Sequence, residues 1–92
     1  MSKLLNLTIR ALHRKDCDII CNSTDKIKKE VIPKIAEKLG VIPGDISIVC
    51  KGKDFEVSNP EKILEDYCVR NGDILHIILK IIINLFSLTY NL

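Results

Sequence analysis

The sequence predicts an α+β fold, a roll in which a mixed sheet is covered on one face by one main helix. Three observations point to it. Near the N-terminus, Leu5, Leu7 and Ile9 alternate with Asn6, Thr8 and Arg10, the period of two of a half-buried strand. In the middle, Ile27, Val31, Ile35 and Leu39 recur every fourth residue, the spacing of one helix face. Near the end, the turn signal Asn71-Gly72-Asp73 precedes the run ILHIIL, apolar everywhere but His76. A run that short and that apolar belongs in the middle of a sheet.

Taken in order, residues 4–12 form the first strand. The polar stretch His13-Arg14-Lys15-Asp16 is a hairpin turn. Cys17, Ile19 and Cys21 then alternate with Asp18, Ile20 and Asn22, a second strand antiparallel to the first. Asn22-Ser23-Thr24-Asp25 is rich in residues that cap helix N-termini. The helix follows over residues 25–39, with Lys26, Lys28, Lys29, Glu30, Lys34, Glu37 and Lys38 outside, and Gly40 stopping it. Pro33 conflicts with that helix, because it lacks an N–H and clashes with the carbonyl four residues back. Either the helix kinks there, or it splits at Ile32 and Pro33 starts a second short piece. A loop over residues 41–45 leads to a third strand, ISIVC, then a tight turn at Lys51-Gly52-Lys53 and a short fourth strand over residues 54–57. After a surface loop, residues 64–67 form a short turn carrying Tyr67, whose hydroxyl is expected to tie its own turn. The last strand should lie beside the first, in the centre of the sheet.

Ninety-two residues make one small domain with a modest core. A net charge of +2 and only four aromatic residues give neither the basic face nor the stacking platform of a nucleic-acid binder. Cys17, Cys21, Cys50 and Cys68 follow no secretory signal, so a reduced, cytoplasmic or nuclear setting is expected, with the thiols acting as small apolar side chains. No Cys-x-x-Cys pair exists, and His13 and His76 have no metal-ligand spacing, so no metal or cofactor is expected. No nucleophile–base pair is visible, so no catalytic residue is expected either.

Over nearly all of positions 4–81 these residues resemble the ubiquitin family. Leu64, Asp66 and Tyr67 follow its Leu-Ser-Asp-Tyr turn, and Leu75-His76-Ile77-Ile78-Leu79-Lys80-Ile81 its Leu-His-Leu-Val-Leu-Arg-Leu strand. Residues 40–52 also match without a gap, including Pro43 and Gly52-Lys53. One extra residue is needed near the helix start and three in the loop before Leu64. The resemblance implies a β-grasp roll spanning residues 1–81. It also implies that an apolar patch on the uncovered sheet face binds partners. The matching residues are Leu12, Val49 and Ile78, with His76, Gly52 and Lys53 at the rim. Alternation agrees with this: if Ile48, Leu75, Ile77 and Leu79 point inward, Val49 and Ile78 point to water. Exposed β-branched residues beside a leucine suit an interaction site. A histidine there makes binding pH-sensitive, because an imidazole changes charge near neutral pH. Lys53 also matches the family's best-known chain-linkage lysine. Cys68 is the candidate exposed thiol.

Conjugated members end in adjacent glycines, whereas Gly40, Gly44, Gly52 and Gly72 are all isolated here. The resemblance therefore implies a non-conjugated domain, bound by proteins with ubiquitin-binding elements of the receptor or proteasome type. Residues 82–92 form an apolar tail, diluted by Asn84, Ser87, Thr89 and Asn91 and short of the roughly 20 residues a membrane span needs. An apolar, β-rich tail is an aggregation hazard unless covered. The alternative reading is accordingly a structural or assembly subunit, or a membrane-associated protein, in which the tail docks onto a partner, a second copy or a membrane interface.

Overall fold

The computed structural model describes residues 2–80. The expected tail, residues 82–92, lies outside them. The strands are β1 (Leu4–Ala11), β2 (Cys17–Asn22), β3 (Ile46–Cys50), β4 (Lys53–Asp54) and β5 (Ile74–Leu79). They form one sheet in the order β2-β1-β5-β3-β4. β1 and β5 run parallel, and the other neighbours run antiparallel. The last strand is therefore central and beside the first, as its apolar run predicts. One main helix, α1 (Ile32–Leu39), covers one face.

Alternation builds the core. Leu5, Leu7, Ile9 and Ala11 of β1, Ile19 and Cys21 of β2, Ile46, Ile48 and Cys50 of β3, and Leu75 and Ile77 of β5 are all buried. Ile27, Val31, Ile35 and Leu39 meet them from the helical side. Each fully buried aliphatic side chain stabilises the fold by roughly 1.5–3 kcal/mol. Leu79, expected to point inward, is only half-buried, although its ladder partner Ile46 is buried.

The helical segment differs from a single helix over residues 25–39. It opens with a wide turn, Ile27–Val31, in which the Val31 and Ile32 N–H groups donate to carbonyls five residues back, Lys26 and Ile27. α1 then begins at Ile32 with Pro33 in its first turn. The reason is Pro33 itself. The five-residue bonds end just before it, so its missing N–H and its ring fall where an α-helix tolerates them.

The expected capping cluster does not cap. Lys26 precedes the wide turn with no side-chain cap of its own, and its N–H donates to Glu30 Oε2 at 3.0 Å. Ser23 and Asp25 are used elsewhere: Ser23 Oγ accepts from Lys3 N at 3.0 Å, and Asp25 Oδ2 from Asn22 N at 2.9 Å. Those bonds fasten the end of β2. At the other end Gly40 adopts φ +67°, and its N–H donates to the Ala36 carbonyl, a left-handed C-cap. Arg14 of the first hairpin turn adds a guanidinium donor to the Leu39 carbonyl at 2.6 Å.

Three further expectations are corrected. β1 ends at Ala11, so Leu12 belongs to the hairpin turn. The fourth strand is Lys53–Asp54, not 54–57, because the chain turns straight after Phe55: Val57 N already donates back to the Phe55 carbonyl at 3.0 Å. Phe55 N still donates to the Ile48 carbonyl at 2.9 Å, and its side chain takes the inward phase into the core. There Phe55 stacks on Tyr67 with ring centroids 4.4 Å apart. The Tyr67 hydroxyl accepts from Glu56 N at 2.7 Å. It thus ties the Leu64–Tyr67 turn to the segment after β4 rather than to itself. No helix among the described residues is long and apolar enough to cross a membrane.

Candidate interaction surface

The face of the sheet away from α1 carries the outward-phase residues. Ladder register sets their neighbours. His76 of β5 stands between Arg10 of β1 and Val49 of β3, and Val49 faces Asp54 of β4. One outward row further along, Ile78 faces Ser47. Leu12 comes next to Ile78, one residue beyond the Ala11–Ile77 pair. Leu12 and Ile78 are 74% and 56% exposed. Together with Ile77 and Leu79 they line a shallow depression of about 150 Å³.

The structure thus brings Leu12 and Ile78 together, with Val49 and His76 in the adjoining row. Val49 is half-buried rather than open to water. Gly52 and Lys53 take a different place. Gly52, at φ +78°, closes the turn with Lys51, at φ +52°. Lys53 faces the buried Cys50 in the ladder, so it shares the inward phase and borders the patch at the sheet edge rather than lining it.

The rim also holds groups that the motif reading missed. Arg10 donates from Nε and Nη2 to Asp16, the shortest contact being 2.8 Å. Hydrogen bonding from Arg10 holds the Asp16 carboxyl below its ordinary value; burial opposes this, while the charges of Arg10 and His76 reinforce it. Alternation alone puts Arg10 in phase with the patch, but its partner across the hairpin turn has no sequence signal. A second exposed pair, Leu4 and Ile20, sits at the opposite end of the same face, diagonal across the β1–β2 ladder. The polar row Thr8–Asp18 separates it from the patch.

The rest of the surface supplies little chemistry. Beside β2, a cleft lined by Ile19, Ile20, Lys34 and Glu37 is partly closed by Lys34 Nζ, which donates to the Ile20 carbonyl at 2.7 Å. That contact blunts an edge strand. Burial pushes the Cys21 and Cys50 thiols up, away from the reactive thiolate. Cys17 is half-buried, and Cys68 is exposed. No three His, Cys, Asp or Glu side chains among the described residues gather as a metal site.

The parallel pairing of first and last strands in a mixed sheet under one helix decides the fold. The chain has the ubiquitin-like β-grasp fold. Two solved structures make the comparison concrete. A de novo design based on ubiquitin superposes with a TM-score of 0.71 at 22% identity, over 84% of this chain and 89% of the design. A ubiquitin-like domain from Arabidopsis thaliana superposes with a TM-score of 0.74 at 13% identity, over 85% of this chain and 79% of that domain. No family model matches the sequence. In ubiquitin-like terms, the Leu12–Ile78 depression lies on the sheet face that the single helix leaves uncovered.

Proposed function

We propose that this chain is a non-conjugated ubiquitin-like interaction domain of the cytoplasm or nucleus. It docks proteins carrying ubiquitin-binding elements, of the receptor or proteasome type, through Leu12, Val49 and Ile78. His76, Gly52 and Lys53 border the contact. The observation that carries the reading is the side-by-side exposure of Leu12 and Ile78 on the uncovered face. An amphipathic helix laid there buries both side chains, each contributing roughly 1.5–3 kcal/mol before the cost of ordering. A contact of so few aliphatic residues is of the small, transient kind. The four isolated glycines support a role in being bound rather than in being conjugated.

The test is an affinity pull-down on immobilised ubiquitin-interacting helix, wild type beside a Val49→Asp, Ile78→Asp variant. Capture of wild type and loss of the variant support the reading. Equal capture of both removes the patch from it.

A further inference from the structure

β2 is one edge of the sheet, and hydrogen bonding on its neighbour shows which of its backbone groups face outward. On β1, Asn6 and Thr8 direct their backbone to the β5 side: Asn6 N donates to Asn71 Oδ1 at 2.7 Å, and Thr8 N to the Asp73 carbonyl at 3.0 Å. Their β2 partners, Ile20 and Asp18, therefore sit in non-hydrogen-bonded pairs and turn N–H and C=O away from the sheet. Asn22, next in that phase, is already closed: its N–H donates to Asp25 Oδ2, and its carbonyl accepts from Asp25 N. Lys34 Nζ covers the Ile20 carbonyl at 2.7 Å. The Ile20 N–H and both backbone groups of Asp18 have no partner among the described residues. Such groups are a template for a further strand.

We propose that a second copy of this chain occupies that edge, β2 antiparallel to β2 about a two-fold axis at Ile19. Occupant and register both follow from the edge. With Ile19 opposite Ile19, Asp18 of each copy meets Ile20 of the other, and both pairs exchange both hydrogen bonds. An axis at Asp18 would set two carboxylates opposite each other. An axis at Ile20 would set Asp18 against Asn22, whose groups are taken.

Side chains agree with the two-fold. Lys34 is held at Ile20, while Arg14 of the hairpin turn reaches the Leu39 carbonyl, so α1 runs toward the Cys17 end of β2. The axis thus sets Lys34 of one copy toward Glu37 of the other, and the ammonium that leaves the Ile20 carbonyl gains a carboxylate. On the open face the two Ile20 side chains come diagonal to each other. Leu4 and Ile20, 72% and 61% exposed, then form one apolar run across both copies. The Leu12–Ile78 patch stays free, so the pairing is independent of the docking reading.

The test is sedimentation velocity of the full chain up to about 1 mM, the range of weak association. NMR on a sample mixing 13C-labelled and unlabelled copies accompanies it. The expected result is a concentration-dependent dimer with an Hα–Hα contact between Cys17 and Cys21. Those residues lie about 13 Å apart along one strand, so only the pairing of two copies brings them together, as a non-hydrogen-bonded pair. Ile20→Asp, at an exposed position, opposes a carboxylate to Asp18 of the other copy and weakens the dimer at least tenfold. Adding Asp18→Lys sets opposite charges across the same pair and restores it. A monomer at every concentration overturns the proposal. So does a dimer without the Cys17–Cys21 contact, which seats the second copy elsewhere, or a dimer that Ile20→Asp leaves intact.

Discussion

Leu12 and Ile78 stand next to each other although 66 positions separate them in sequence, because β1 and β5 run parallel and Ala11 pairs with Ile77. One residue comes from a hairpin turn and the other from the central strand. Ile78→Asp should weaken binding of a ubiquitin-interacting helix at least tenfold, about 1.4 kcal/mol. Its side chain is mostly exposed, so stability should fall by less than about 1 kcal/mol. Isothermal titration beside urea unfolding separates the two effects.

Tyr67 holds two segments through one hydroxyl and one ring face. Tyr67→Phe keeps the stack on Phe55 but removes the acceptor for Glu56 N. The expected loss is about 1 kcal/mol, read as a lower urea midpoint with an unchanged slope. An unchanged midpoint means that water replaces the hydroxyl at no cost.

Gly40→Ala isolates a backbone cost. A Cβ at Gly40 meets no atom within 4 Å, so any loss comes from φ +67° alone. About 1–2 kcal/mol should be lost on conversion to Ala, and less on conversion to Asn, which tolerates the left-handed region better. Equal losses for both variants would speak against this cause.

Acid sensitivity should trace in part to Asp73. Burial pushes its carboxyl up, but the Arg70 N–H and the Lys51 ammonium, at 2.8 and 2.9 Å, outweigh that and leave it below its ordinary 3.8. A carboxyl depressed in the folded state contributes stability above its unfolded value, and that contribution fades as pH falls through the folded value. Stability should therefore drop below about pH 4. Asp73→Asn should be less stable at pH 7 and should lose less between pH 5 and pH 2. Parallel pH profiles for the two proteins would contradict the assignment.

Much of the architecture was legible because it rests on local period. Leu5, Leu7 and Ile9 on one strand, and Leu75 and Ile77 on another, are buried in the expected alternation. The apolar run of the last strand pointed to its central place beside the first, and the resemblance supplied the patch positions. The illegible features depended on contacts distant in sequence. The Pro33 conflict left two local solutions open, and the structure takes the split at Ile32, with Pro33 in the first turn of the second piece; only the wide form of the Ile27–Val31 turn was not legible. Ser23 and Asp25 look like caps, but the start of β1 and the end of β2 claim them instead. Phe55 keeps the inward phase of the fourth strand, but its stack on Tyr67 joins segments distant in sequence. At the patch, alternation identified the face but not the half-burial of Val49 or the Arg10–Asp16 pair at its rim.

The most direct test is a 15N NMR titration of the full chain with a ubiquitin-interacting helix. The account predicts progressive shifts at Leu12, Val49, His76 and Ile78, with the amides of Lys29 and Lys34 unmoved. Shifts confined to the helix face around Lys29 and Lys34 would contradict it.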